Sequence, residues 1–167
     1  RESFLNLLER ARARGLPISV DPSSVAWLRE VGADRFLEWT RGAALAFPNR
    51  DEALFLAGTD DPETAADRLA ECYGLAVVTL DGDGAVLGRA GRAPLRIATD
   101  RIAAVDSTGA GDSFCAGFLA AWLRGADEVA AVEAGAALAR TAVSRMGARP
   151  TAIRDQASVV RPAAEDR

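Results

Sequence analysis

The sequence has no histidine and no lysine; all twenty basic residues are arginine. The missing histidine excludes Ser-His-Asp and Cys-His catalysis, and histidine metal sites, within this chain. The missing lysine excludes a Walker A loop, the strand lysine of protein kinases and Schiff-base chemistry. The two cysteines, Cys72 and Cys115, form neither a CxxC pair nor a zinc spacing, so a reduced cytoplasm is the simplest location. There is no signal-peptide pattern and no apolar run long enough to span a membrane. The net charge is -4 and the arginines are scattered, apart from Arg10, Arg12 and Arg14, which speaks against a nucleic-acid surface. Lysine-free, arginine- and alanine-rich usage suggests a GC-rich bacterial genome.

What is present fits one domain over 1–167, long enough for a real core. Residues 3–14 carry Phe4, Leu5, Leu7 and Leu8 among charges and stop at Gly15, the pattern of an amphipathic helix. That pattern is already under way at Arg1, as in a fragment or a processed product. Residues 16–20 read as a buried strand ending at Asp21-Pro22. Residues 23–39 hold one or two short helices with Trp27, Leu28, Phe36 and Leu37 inward. A strand over 43–47 is closed by Pro48-Asn49, and a helix over 50–57 stops at Gly58. A helix from Pro62 carries Ala65, Leu69 and Cys72 inward and ends near Gly74. Residues 75–80 (LAVVTL) are the strongest strand signal, followed by a turn at 81–84 and a return arm at 85–88. Strands are expected at 94–98 and 101–105. Phe114, Phe118 and Trp122 recur on one helical face that ends at Gly125. A second alanine-rich helix over 127–146 offers Val129, Val132, Ala136, Ala139 and Val143 as one buried stripe. Alternating helices and short apolar strands predict an α/β layered, Rossmann-like sheet flanked by helices. Ligands in such folds sit beyond the carboxyl ends of the strands. Asp21, Asn49 and residues 106–112 all follow apparent strands.

The most informative stretch is 105–118, VDSTGAGDSFCAGF. An apolar run leads through a small-residue turn into a helix. Backbone N–H groups of Gly109, Ala110 and Gly111 converge at a helix N-terminus, where an anion is stabilised. An acid beside an anion cradle is counterproductive unless it takes a proton from a group attacking a phosphate, which gives Asp112 the role of base. The alternative is a helix start where Asp112 complements the dipole, a contribution of ~0.3–1 kcal/mol. Asn49 and Glu52 read as a helix start, Asn49 as N-cap with Glu52 at N3 in a capping box, a reading compatible with a further role for the pair. Phe114, Phe118 and Trp122 read as core. Cys115 reads as a small buried residue, with nothing available to activate it.

Residues 106–118 resemble the C-terminal signature of the ribokinase-like (PfkB) carbohydrate kinases, commonly D-T-x-G-A-G-D-x-F. Other segments are similar in order: VDP at 20–22, FPNRDE at 47–52 with the family's N-x-x-E, VVTLDGDGAV at 77–86 and AVSRMGARPT at 142–151. The resemblance covers the C-terminal half or so of a usual member. It implies a ribokinase-like fold lacking the N-terminal part and the lid. It implies ATP-dependent phosphoryl transfer to a hydroxyl of a sugar or nucleoside, with Asp112 as base and Gly109, Ala110 and Gly111 as anion hole. Asn49 and Glu52 would organise Mg²⁺ and the phosphates, largely through water. Asn49, Thr79, Gly84 and Thr108 would meet ATP. A K⁺ ion would take the Asp106 carboxylate, Thr108, the carbonyls of Ala142, Arg145 and Gly147, and Thr151. Asp81 replaces the glycine usual after Thr-Leu, and its carboxylate opposes a triphosphate. A homodimer would form through the lid. The competing function is a non-catalytic nucleotide-binding or regulatory module of the same fold; a further option is that a separate N-terminal segment completes the site. The isolated chain is not expected to be a competent kinase.

Overall fold

The computed structural model describes residues 2–100, 105–144 and 146–147. Among the described residues, five strands form one sheet in the order β1-β2-β3-β4-β5. β1 (Ser19–Val20), β2 (Leu45–Ala46) and β3 (Leu75–Thr79) run parallel; β4 (Ala85–Gly88) is antiparallel to β3, and β5 (Leu95–Ile97) is antiparallel to β4. The parallel strands need crossovers, which the helices supply. α2 (Val25–Val31) and α3 (Ala33–Thr40) lie between β1 and β2, and α4 (Arg50–Ala57) and α5 (Pro62–Ala70) between β2 and β3. α1 (Glu2–Ala13) precedes the sheet; α6 (Ala110–Trp122) and α7 (Glu128–Val143) follow it.

Strand alternation sorts the core into two layers. Ala46, Ala76, Val78 and Val86 pack with Leu28, Phe36, Leu56 and Leu69 under α2–α5. Leu45, Phe47, Val77 and Leu87 pack with Phe114, Phe118 and Val132 under α6 and α7. Phe118 is wholly buried, and its ring lies 5.0 Å edge-on from Phe47. Burying such a ring is worth roughly 1.5–3 kcal/mol. The expected layered α/β sheet is the one observed.

Several local expectations are corrected. β1 is only two residues long; Leu16 is exposed and Pro17 has no N–H for a ladder. Trp27 is 40% exposed and only edges onto Phe36, with ring centroids 5.7 Å apart. On α1 only Leu8 is buried, while Phe4 and Leu7 face outward. The strand expected at 101–105 lies outside the described residues except Val105, which sits in an exposed bend.

The buried face of α7 also differs. It consists of Ala131, Val132, Gly135 and Ala136, with Val129 exposed. The cause is a close helix crossing. A Cβ on Gly135 would meet the Phe114 carbonyl oxygen at 2.8 Å, and one on Gly117 would meet the Ala134 carbonyl oxygen at 2.7 Å. These neighbours are backbone and cannot swing aside. Gly135→Val should therefore force α6 and α7 apart and lower stability by about 1–3 kcal/mol. Thermal denaturation checks this against the exposed control Ala137→Gln, which should stay within about 0.5 kcal/mol of the parent.

Candidate active site

The carboxyl ends of the parallel strands gather the first polar group. Asp21 follows β1 directly, and Thr79 ends β3. Asn49 lies two residues beyond Phe47 and pairs with Thr79 as an isolated parallel bridge. Asn49 then caps α4: its Oδ1 accepts the Glu52 N–H at 3.0 Å, and Glu52 Oε2 accepts the Asn49 N–H at 2.9 Å. The capping-box reading of this pair is thus realised. It does not exhaust Glu52, whose side chain is 2% exposed. Burial pushes its carboxyl above the ordinary carboxylate range, and the nearby charges of Asp21 and Asp51 push the same way against the Asn49 hydrogen bonds. A buried acid among acids, with no cationic partner among the described residues, is chemistry that suits a cation.

Asp21 ties this group to α6. Its Oδ1 accepts the Ser23 N–H at 2.8 Å, and Cys115 Sγ donates to its Oδ2 at 3.7 Å. Burial, with the charges of Asp21 and Asp112 close by, drives the Cys115 thiol up to about 12. The thiol stays protonated, in accord with its reading as a non-nucleophile.

Among the described residues no side chain caps the start of α6. Gly109 is its N-cap in the left-handed region, φ 79, where glycine carries no penalty. The Ala110 N–H is held by the Ser107 carbonyl at 3.2 Å, and the Ser113 N–H reaches the Gly109 carbonyl at 3.0 Å. No bond among the described residues engages the N–H groups of Gly111 and Asp112. Orphan donors at a helix start attract an anion. Gly111 has nothing within 4 Å of where a Cβ would stand, so the chain's own packing does not require a glycine there. Asp112 is exposed in the same first turn.

The loop before α6 is anchored by Asp106. Its Oδ1 accepts the Thr108 N–H and its Oδ2 the Gly147 N–H, each at 2.9 Å. These bonds hold its carboxyl below the usual range. The Val105 N–H reaches the Val143 carbonyl at 2.8 Å, so the loop lies against the end of α7. Asp106, Thr108 and Gly147 are thereby brought together, and Ala142 lies in the last turn of α7. Arg145 and Thr151 lie outside the described residues.

A cleft of about 380 Å³ opens at these ends. Asn49, Thr79, Gly84, Ala110 and Gly111 line it. Gly84 has a structural reason as well: at φ +93 a Cβ would stand 1.9 Å from the Ile97 carbonyl oxygen. The far wall is Ala136, Ala139, Arg140 and Val143 of α7. Those four share one helical face, spaced i, i+3, i+4, i+7. Reading Ala136, Ala139 and Val143 as core missed that they border a cavity, and Arg140 carried no signal of its own.

The profile of the pfkB family carbohydrate kinases matches residues 1–155. The chain belongs to that family. The cytidine kinase of Thermococcus kodakarensis is 30% identical over 152 residues, covering 87% of this chain and 53% of that protein. The solved adenosine kinase of Sinorhizobium meliloti superposes with a TM-score of 0.81 at 30% identity, over 90% of this chain and 46% of that one. A fructokinase from Vibrio cholerae, solved with fructose, ADP and calcium ion, superposes at 0.78 with 23% identity, over 89% and 51%, a likeness of fold. The chain spans about half the length of these proteins. In this pfkB-family chain the position of the missing turn glycine keeps a glycine-like backbone: Asp81 has φ 53. Aspartate visits that region at modest cost. Among the described residues no helix is long and apolar enough to cross a membrane.

Proposed function

We propose that this chain carries phosphoryl transfer from ATP to a hydroxyl of a sugar or nucleoside. The observation that supports it best is the uncapped start of α6, with free N–H donors at Gly111 and Asp112 beside an exposed carboxylate, opening on the cleft. The family membership supports the same reaction class. In this reading the Asp112 carboxylate takes the proton of the acceptor hydroxyl as its oxygen attacks the γ-phosphorus, and ADP leaves. The N–H groups of Gly109 and Gly111 stabilise charge on the transferred group. Ala110 joins them by exchanging its 3.2 Å bond to Ser107 for a phosphate oxygen. Positioning and electrostatics carry most of such catalysis.

Asn49, Thr79, Gly84 and Thr108 face the nucleotide in this proposal, with the α7 wall beside them. Glu52 and Asn49, with Asp21 near, suit Mg²⁺ through water, because Glu52 is a buried acid with no cationic partner among the described residues. A bound Mg²⁺ would supply charge neutralisation at the phosphates. The loop fastened by Asp106 to Gly147, with Thr108 and the Ala142 carbonyl, is the proposed seat of K⁺. Backbone amide resonances of Gly109, Gly111 and Asp112, followed while ADP and Mg²⁺ are added, test the proposal by shifting on binding.

A further inference from the structure

Among the described residues, the wall of the cleft carries more negative than positive side chains, the wrong balance for a nucleotide. Asp81 and Asp100 line it, and Arg140 is the one cationic side chain among its described lining residues. The chain holds no lysine that could reach in from elsewhere. Asp83 is drawn off to Arg50, at 3.4 Å. Asp81 is different: no hydrogen bond or ion pair engages its carboxylate among the described residues. Asp81 also lines the adjoining polar hollow formed with Asn49, Arg50 and Asp51. It therefore stands on the ridge between the two hollows, beside Gly82.

Its backbone adds a second observation. At φ 53 the residue occupies the left-handed region that glycine or asparagine fills as well or better. The turn therefore does not call for a carboxylate. Local conformation and hydrogen bonding leave the charge at position 81 unexplained.

Resting on the nucleotide reading above, we infer that Asp81 is a specificity-determining residue that discriminates against metal-free nucleotide. An unpaired carboxylate on the cleft wall repels a bare di- or triphosphate. A divalent cation carried by the nucleotide cancels much of that phosphate charge and relieves the repulsion. The cleft then takes up the nucleotide as its metal complex and rejects the free anion. No bond is made or broken; the effect is a difference between two binding affinities.

The test is calorimetric titration of ADP into the folded 167-residue chain, once with Mg²⁺ and once with chelator. Parent, Asp81→Asn and Asp81→Gly are compared. Asparagine removes the charge and keeps a side chain suited to the turn; glycine removes both charge and backbone strain. For the parent, chelation weakens ADP binding. In both variants metal-free binding should tighten by about fivefold, an effect of one screened surface charge, with the Mg²⁺ arm nearly unmoved. A purely conformational role would separate glycine from asparagine in thermal stability and leave the ratio of the two affinities unchanged. An unchanged ratio in Asp81→Asn overturns the inference. So does a loss confined to the Mg²⁺ arm, since the carboxylate would then be holding the ion. If the folded parent binds ADP in neither arm, the nucleotide reading fails and the inference falls with it; if it binds ADP and the ratio stays fixed, the inference alone fails.

Discussion

Asp112→Asn should lower phosphate transfer by roughly 10²–10⁴-fold, the usual worth of a positioned general base. The measurement is ADP formation in the complete polypeptide carrying this chain, with ATP and a panel of pentoses, hexoses and nucleosides. Asparagine fits the same exposed place in the first turn of α6, so the fold should persist. The donors at Gly109 and Gly111 belong to the backbone and are untouched. ADP affinity should therefore stay within a small factor of the parent while turnover collapses. This split separates a base from a dipole-complementing acid. An acid serving only the dipole would cost ~0.3–1 kcal/mol of stability on removal and leave turnover alone. Near-normal turnover in Asp112→Asn would remove the assignment. A parent that binds ADP and transfers phosphate to no acceptor would be a nucleotide-binding module instead.

Glu52→Gln carries the second large effect, and it divides stability from activity. The folded protein raises the Glu52 carboxyl above its ordinary 4.5, first by burial and then by Asp21 and Asp51. A raised acid favours the protonated fold. Its contribution to stability is complete below the unfolded value and is lost as pH climbs through the raised folded value. Glutamine resembles the protonated side chain and still closes a capping box. At pH 7 the variant should melt no lower than the parent, and the two melting curves should converge below about pH 4.5. Mg²⁺-dependent turnover should meanwhile fall about 10- to 100-fold, as for partners that orient a metal's water shell. The opposite pattern, a lower Tm at pH 7 with Mg²⁺ dependence intact, would make Glu52 a helix cap and nothing more.

The parts of the fold that were readable in the sequence are those with local punctuation. Asn49 with Glu52 announced α4, and Gly58 stopped it. The LAVVTL run became β3, buried on both faces between α5 and α6 as a continuous apolar run requires. Phe114 and Phe118 fell in the core as their spacing suggested. Features decided by tertiary contact were harder. Gly117 and Gly135 set the α6–α7 crossing because they lack side chains, and an apolar-stripe search passes over such residues. Arg140 lines the cleft beside Ala136, Ala139 and Val143, a placement set by tertiary packing and not by local sequence. Asp21 looked like a strand end; its link to Cys115, ninety-four residues on, has no local signature. The turn motif at 108–112 was plain, whereas the engagement of the Ala110 N–H by Ser107 needed coordinates.

In the proposed reaction the start of α6 receives the phosphates of a nucleotide lying in the cleft. Amide resonances of the folded chain, recorded as ADP and Mg²⁺ are added, address it most directly. The expected result is shifts centred on Gly109, Gly111 and Asp112, extending to Thr79 and the Ala139–Arg140 face of α7. Shifts confined elsewhere, such as to the groove of Glu63, Asp67 and Arg92, or none in a protein that remains folded, would contradict it.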